Sequence, residues 1–245
     1  MRHLRSPRLF SGERANSGNV QAVFFDLDGT LVELPDDFAG LLESALADRG
    51  VTADPEHAGH YFEAFFDHLD ACRAEPYRMA MADLRETFDL DPTAEGLAES
   101  YTEHEAAATS LRPGVREVLD ELVSSDAPHR RLGVLTNGGV RAQRRKLEHH
   151  NLADRFDAMV VSGDVGAGKS DPEIFAAAKE AIPADEYVFV ADDLERDVLP
   201  AQEAGFTGIY LADEDEADEQ SEDAENADQP DETVTSLREV SGVLD

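Results

Sequence analysis

Two short stretches hold residues whose types and spacing could do chemistry. GDVGAGKS, Gly163 to Ser170, fits the Gly-x-x-x-x-Gly-Lys-Ser/Thr pattern that cradles nucleotide phosphates. FFDLDGTL, Phe24 to Leu31, places Asp26 and Asp28 two positions apart at the end of an apolar run, before a glycine that permits a sharp turn. If the backbone stays extended through Asp28, both carboxylates point to one side. Asp192, Asp193 and Asp197 follow a later apolar run, Tyr187 to Ala191. Carboxylates converging in one pocket repel one another, and a divalent cation with oxygen ligands, Mg²⁺ above all, resolves that repulsion.

The phosphate-loop reading, which would make the chain a P-loop NTPase, conflicts with Pro172. A P-loop needs its helix to begin inside the Gly-Lys-Ser turn, so that backbone N–H groups face the phosphates. Pro172 disfavours helical backbone at Asp171, so Asp171, Pro172 and Glu173 read as N-cap, first helical position and first-turn acid. Lys169 is then left in the loop, available to a site whose nucleophile lies far upstream.

The elements that must position these groups are legible from periodicity. QAVFFD, RLGVLTNGG, DAMVVSGD, YVFVADD and TGIYLAD each hold an apolar core ending in polar residues, as buried parallel strands do. Helical patterns such as VREVLDELV, RAQRRKLEHHNL and PEIFAAAKEAI lie between them. This alternation predicts an α/β fold, a doubly wound Rossmann-like parallel sheet in a three-layer α/β/α core. From Glu33 to Ser110 there is no convincing strand, only amphipathic helical stretches. The expectation is a core of residues 20–32 and 111–245 interrupted by a helical cap, 33–110, standing as a lid over the sheet edge where ligands of such folds bind. Residues 1–19 read as a disordered N-terminal extension, and the acidic, aperiodic 213–232 as a solvated linker or loop, after which VTSLREVSGVL docks as a short helix.

DLDGTL (Asp26 to Leu31), LTNG (Leu135 to Gly138), GKSDPEIF (Gly168 to Phe175) and ADDLERD (Ala191 to Asp197), in this order, make the chain resemble the haloacid dehalogenase superfamily of hydrolases from Val20 to Leu211. The likeness is to phosphatases with a helical C1 cap. It implies Asp26 as the nucleophile that forms an aspartyl-phosphate, and Asp28 as the acid and then base for the leaving alcohol and the attacking water. It also implies Thr136, through its hydroxyl, and Asn137, through its backbone N–H, as holders of the phosphoryl oxygens, with Lys169 neutralising charge. Mg²⁺ would be held by the Asp26 carboxylate, the Asp28 carbonyl and the Asp192 carboxylate, with Asp193 and Asp197 supporting the shell. Ala191 stands where the family usually has Gly, and Ser170 where Pro is common. Dehalogenases of the superfamily lack the second acid, so Asp28 favours phosphoryl chemistry, and the absence of lysine from the cap opposes a Schiff-base phosphonate hydrolase. A sugar phosphomutase would share every core residue, differing by its need for a bisphosphate activator. A non-catalytic phosphate binder would bind without turnover.

The composition bounds the partners. With 54 acidic residues against 21 Lys and Arg, the formal net charge is −33, which argues against nucleic acid and anionic membrane as partners; the small-molecule phosphate ester is what the resemblance implies. Acids spread along the whole chain, and only Lys146, Lys169 and Lys179 among the bases other than arginine and histidine, suggest a halophilic archaeal protein whose self-repulsion is screened by concentrated salt. Cys72 is alone and no apolar run approaches the ~20 residues of a membrane span, so a cytoplasmic protein is expected. His57 and His60 read as residues of a solvated cap helix. Arg141, Arg144 and Arg145 read as helix decoration paired with acids, and Arg73, Arg78, Tyr61 and Tyr77 as cap residues that could read the leaving group.

Overall fold

The computed structural model describes residues 19–124, 129–213 and 229–244. The expectations for the N-terminal extension and for most of the acidic linker fall on residues 1–18 and 214–228, outside the described residues.

The first apolar run forms β1 (Val20–Phe25), flanked by β4 (His129–Thr136) and β6 (Glu186–Ala191). With β5 (Ala158–Val161), β7 (Thr207–Leu211) and β8 (Glu232–Val234) they make one sheet in the order β5-β4-β1-β6-β7-β8, every neighbouring pair parallel. Side chains along a strand alternate between faces, and β1 divides accordingly. Val23 and Phe25 join one apolar cluster with Leu119, Leu122 and Leu147, while Ala22 and Phe24 join another with Ile174, Phe175 and Phe189. Burying both faces explains why β1 reads as continuous apolar sequence. Two layers of helices result, α5 (Val115–Ser124) and α6 (Val140–His149) on one face and α8 (Pro172–Ala181) on the other. At Gly133, opposite Phe24 on the neighbouring strand, an added Cβ would lie 2.3 Å from the Phe24 ring.

Between β2 (Val32–Glu33) and β3 (Ser110–Leu111) run four helices: α1 (Phe38–Asp48), α2 (Pro55–Asp70), α3 (Pro76–Phe88) and α4 (Ala94–Ala108). Asp37, Asp54 and Thr93 cap α1, α2 and α4 by accepting from free backbone N–H groups of the first turn. The four helices bury a separate apolar cluster around Leu46, Tyr61, Met81, Leu84 and Tyr101.

Two details depart from the sequence expectation. Val32 pairs with Leu111 and Glu33 with Ser110 in an antiparallel ladder, so the ends of the helical segment are joined by two short strands. Glu232, expected in the linker, opens β8, a parallel edge strand ahead of the terminal helical turns. Strands of two or three residues carry too little alternation to read; β8 is fixed by tertiary pairing, including a bond from Gly208 N to Asp231 Oδ2 at 2.8 Å. Among the described residues no helix is long and apolar enough to cross a membrane.

Candidate active site

Sheet register brings the acidic groups together. Phe25 lies opposite Val134 on one side and Val190 on the other, so Asp26, Thr136 and Asp192 emerge from neighbouring strand ends. The Asp26 amide donates to Val190 O at 2.9 Å, which carries the ladder one residue beyond β1. The chain then turns through Gly29, whose φ of +92° suits glycine and whose missing Cβ would lie 2.1 Å from Asp192 Oδ2. Glycine here is what allows Asp192 to approach. Thr30 donates from Oγ1 to Asp192 Oδ1 at 2.8 Å and fixes that carboxylate.

Asp197 arrives differently. After Asp193 the chain makes a π-helical turn, Leu194–Val198, in which Val198 N donates to Asp193 O at 3.1 Å. Such a turn is uncommon and recurs at functional sites. It carries Asp197, fully buried, inward to 2.6 Å from Lys169 Nζ. Asp193 itself caps the turn, accepting from Arg196 N at 2.9 Å, and is not part of the acidic cluster.

Lys169 is buried between two acids, with Nζ 2.8 Å from Asp26 Oδ1 and 2.6 Å from Asp197 Oδ2. Burial opposes its charge, but Asp26 and Asp197 outweigh that and hold the ammonium above the usual lysine range. The loop bearing it is pinned by Asn137, whose Oδ1 accepts from Lys169 N at 3.1 Å. Helix α8 begins only at Pro172, with Asp171 as its N-cap, and Gly163 lies within a short helix, α7 (Ser162–Val165). The Gly-Lys-Ser match therefore does not build a P-loop: no helix N-terminus sits at Lys169.

Asp26 is buried with Asp192 and Asp197 close by, their ligating oxygens all within 4.8 Å of one another. Burial pushes the Asp26 carboxyl up to about 7; Lys169 opposes the shift and Asp197 and Asp192 add to it. Lys169, with Arg196 on Asp197, sets two cations against three converging carboxylates; the remaining negative charge and the all-oxygen donor set suit a hard divalent cation.

Asp28 faces the same cavity but lies apart from the cluster. Lys146 of α6 donates to both its carboxylate oxygens, at 2.8 and 2.9 Å, and Gln143 Nε2 to Oδ2 at 2.9 Å. The same Gln143 amide donates to Thr136 Oγ1 at 3.0 Å and Asn137 O at 2.8 Å, which ties Asp28 to the LTNG turn. Glu105 of α4, whose Oε1 lies 3.8 Å from Lys146 Nζ, accepts from Tyr77 Oη at 3.1 Å. Burial raises the Glu105 carboxyl, while Lys146 pulls the other way.

Gln143, Lys146 and Glu105 are absent from the sequence-level site. One signal could have found Lys146: it is one of three lysines in a chain that otherwise uses arginine. The third, Lys179, donates to Ala204 O and lies 5.2 Å from the centres of the Tyr187 and Phe206 rings, a structural role.

Of the other residues singled out, Arg141 pairs with Glu75 and Glu95 and Arg145 with Glu103, as expected of helix decoration, although these contacts also tie α6 to the four-helix segment. His57 Nδ1 accepts from Asp54 N, closing a capping box, and His60 meets Thr87, so neither is placed as a ligand. Arg78 pairs with Glu75. Tyr77 lines the cavity, whereas Tyr61 is buried in the core of the four-helix segment.

The comparisons accord with this geometry. A family profile described as haloacid dehalogenase-like hydrolase matches residues 20–205. The chain is 28% identical over 195 residues to N-acetylmuramic acid 6-phosphate phosphatase of Pseudomonas putida, covering 76% of this chain and 80% of that protein. It is 30% identical over 198 residues to phosphoglycolate phosphatase of Cereibacter sphaeroides, covering 76% and 82%. Among solved structures, 2-haloacid dehalogenase of Pseudomonas syringae pv. tomato superposes with a TM-score of 0.69 at 25% identity, over 92% of this chain and 98% of that one. An Asp-centred site at the edge of a doubly wound sheet, in a chain matched along most of its length, makes this protein a member of the haloacid dehalogenase-like hydrolases.

Proposed function

We propose that the protein is a Mg²⁺-dependent phosphatase that hydrolyses a small-molecule phosphate monoester through an aspartyl-phosphate on Asp26. The observation that carries this reading is the buried Asp26, paired with Lys169 and flanked by Asp192 and Asp197, with Asp28 on the same cavity. The phosphatase names of the curated relatives support phosphoryl transfer, and Asp28 supports it over dehalogenation.

In the first step an Asp26 oxygen attacks phosphorus, the P–O bond to the leaving alcohol breaks, and Asp28 passes a proton to the departing oxygen. In the second, Asp28 takes a proton from water, whose oxygen attacks phosphorus, and the Asp26–phosphorus bond breaks to release inorganic phosphate. Lys146 and Gln143 act as positioning residues, since their bonds hold the Asp28 carboxylate in one orientation. The Thr136 hydroxyl, the Asn137 N–H and Lys169 stabilise charge on the transferring oxygens. Bound by the Asp26 and Asp192 carboxylates and the Asp28 carbonyl, with Asp193 and Asp197 supporting the shell, Mg²⁺ would supply charge neutralisation at the phosphoryl group. Helices α1–α4 serve as the cap, and residues 33–110 as a lid that limits water at the reacting centre.

The expected result is phosphate release from small phosphomonoesters that requires added Mg²⁺ and stops on chelation; release unaffected by chelation contradicts the metal assignment. The net charge of −33 and the lone cysteine fit a cytoplasmic enzyme of a halophilic archaeon. The thermal midpoint should accordingly rise from dilute buffer to molar KCl, and a midpoint that falls with added KCl contradicts the salt adaptation.

A further inference from the structure

We infer, resting on the phosphatase reading above, that the leaving group is a neutral ring-bearing alcohol and not a carboxylate-bearing alcohol. The cavity over Asp26 and Asp28 has a volume of about 1180 Å³, far more than a phosphoryl group needs. On the side of the four helices its wall is apolar and aromatic, with Phe62, Phe65, Phe66, Leu69 and Tyr101. Phe65 and Phe66 meet edge to face, with centroids 5.5 Å apart, and Phe66 keeps 55% of its surface exposed, so ring surface is available to a ligand. Flat rings and the C–H faces of sugars pack on such a wall.

The charges of the cavity point the same way. Among the described residues that line it, each Lys and Arg is already paired with acids: Lys169 with Asp26 and Asp197, Lys146 with Asp28 and Glu105, Arg196 with Asp193 and Asp197. The positive charge of the wall is thus matched by the protein's own acids, and Glu105 and Asp70 add negative charge that would repel a substrate carboxylate.

The test compares glucose 6-phosphate, adenosine 5′-monophosphate, phosphoglycolate and phosphoserine in molar KCl with Mg²⁺. Turnover is read as kcat/KM with the intact enzyme, and affinity by calorimetry with Asp26→Asn, which separates selectivity from catalysis. At least one neutral ring ester should exceed both carboxylate-bearing esters by about tenfold or more in both readouts, and the better of the two names the ring as sugar or nucleoside. Phe66→Arg, at an exposed position, should narrow the gap by up to about fivefold. Equal or reversed order, or no binding of either ring ester, overturns the inference. If no ester is turned over, the phosphatase reading fails, and the affinity order still decides the nature of the ligand.

Discussion

Asp26→Asn lowers phosphate release by at least about 10⁴-fold, because it removes the attacking oxygen and not merely a group that assists it. The amide is isosteric and fits the buried space at the end of β1, so the loss falls on kcat and not on folding. Stability should even hold or rise without Mg²⁺. Burial pushes the Asp26 carboxyl up to about 7, and Asp197 remains to pair with Lys169 after the substitution. A variant that keeps a tenth of the parent activity, or that unfolds where the parent is stable, contradicts the role given to Asp26.

Lys169→Met has a different signature. Its ammonium is the cation shared by Asp26 and Asp197, both buried, and methionine leaves their charges facing each other. Breaking a buried pair by removing one partner costs about 3–5 kcal/mol, and losing one charge-stabilising group at a reacting centre costs about 10²–10³ in kcat. Arg196 still pairs with Asp197, at 2.9 Å, so the stability loss belongs at the lower end of that range. Mg²⁺ should raise the thermal midpoint of the variant more than that of the parent, because the cation replaces the missing positive charge. Equal midpoints for parent and variant in chelator would mean that Lys169 is not what balances the two acids.

Much of this architecture is legible in the sequence because its determinants are local. Five apolar runs that end in polar residues give the central strands, and Pro172 places the start of α8, which separates Lys169 from a phosphate loop. What escapes is set by tertiary contact. Strands β2, β3 and β8 are too short to show a period. The π-helical turn that swings Asp197 inward and leaves Asp193 as a cap has no sequence signature separating the two neighbouring acids. Lys146 reaches Asp28 across 118 residues of sequence, and Glu105 reaches the cavity from a helix of the four-helix segment, so packing alone brings them there. The rarity of lysine in a chain that otherwise uses arginine is a signal for Lys146 as much as for Lys169.

The most direct test of the account is to quench the enzyme in acid during turnover of a phosphomonoester with Mg²⁺ and map the phosphoryl group by peptide mass. One phosphorylated peptide is expected, containing Asp26, absent when Mg²⁺ is chelated and absent from Asp26→Asn. Phosphate release at full rate with the phosphoryl group on another residue, or sustained by Asp26→Asn, would contradict it.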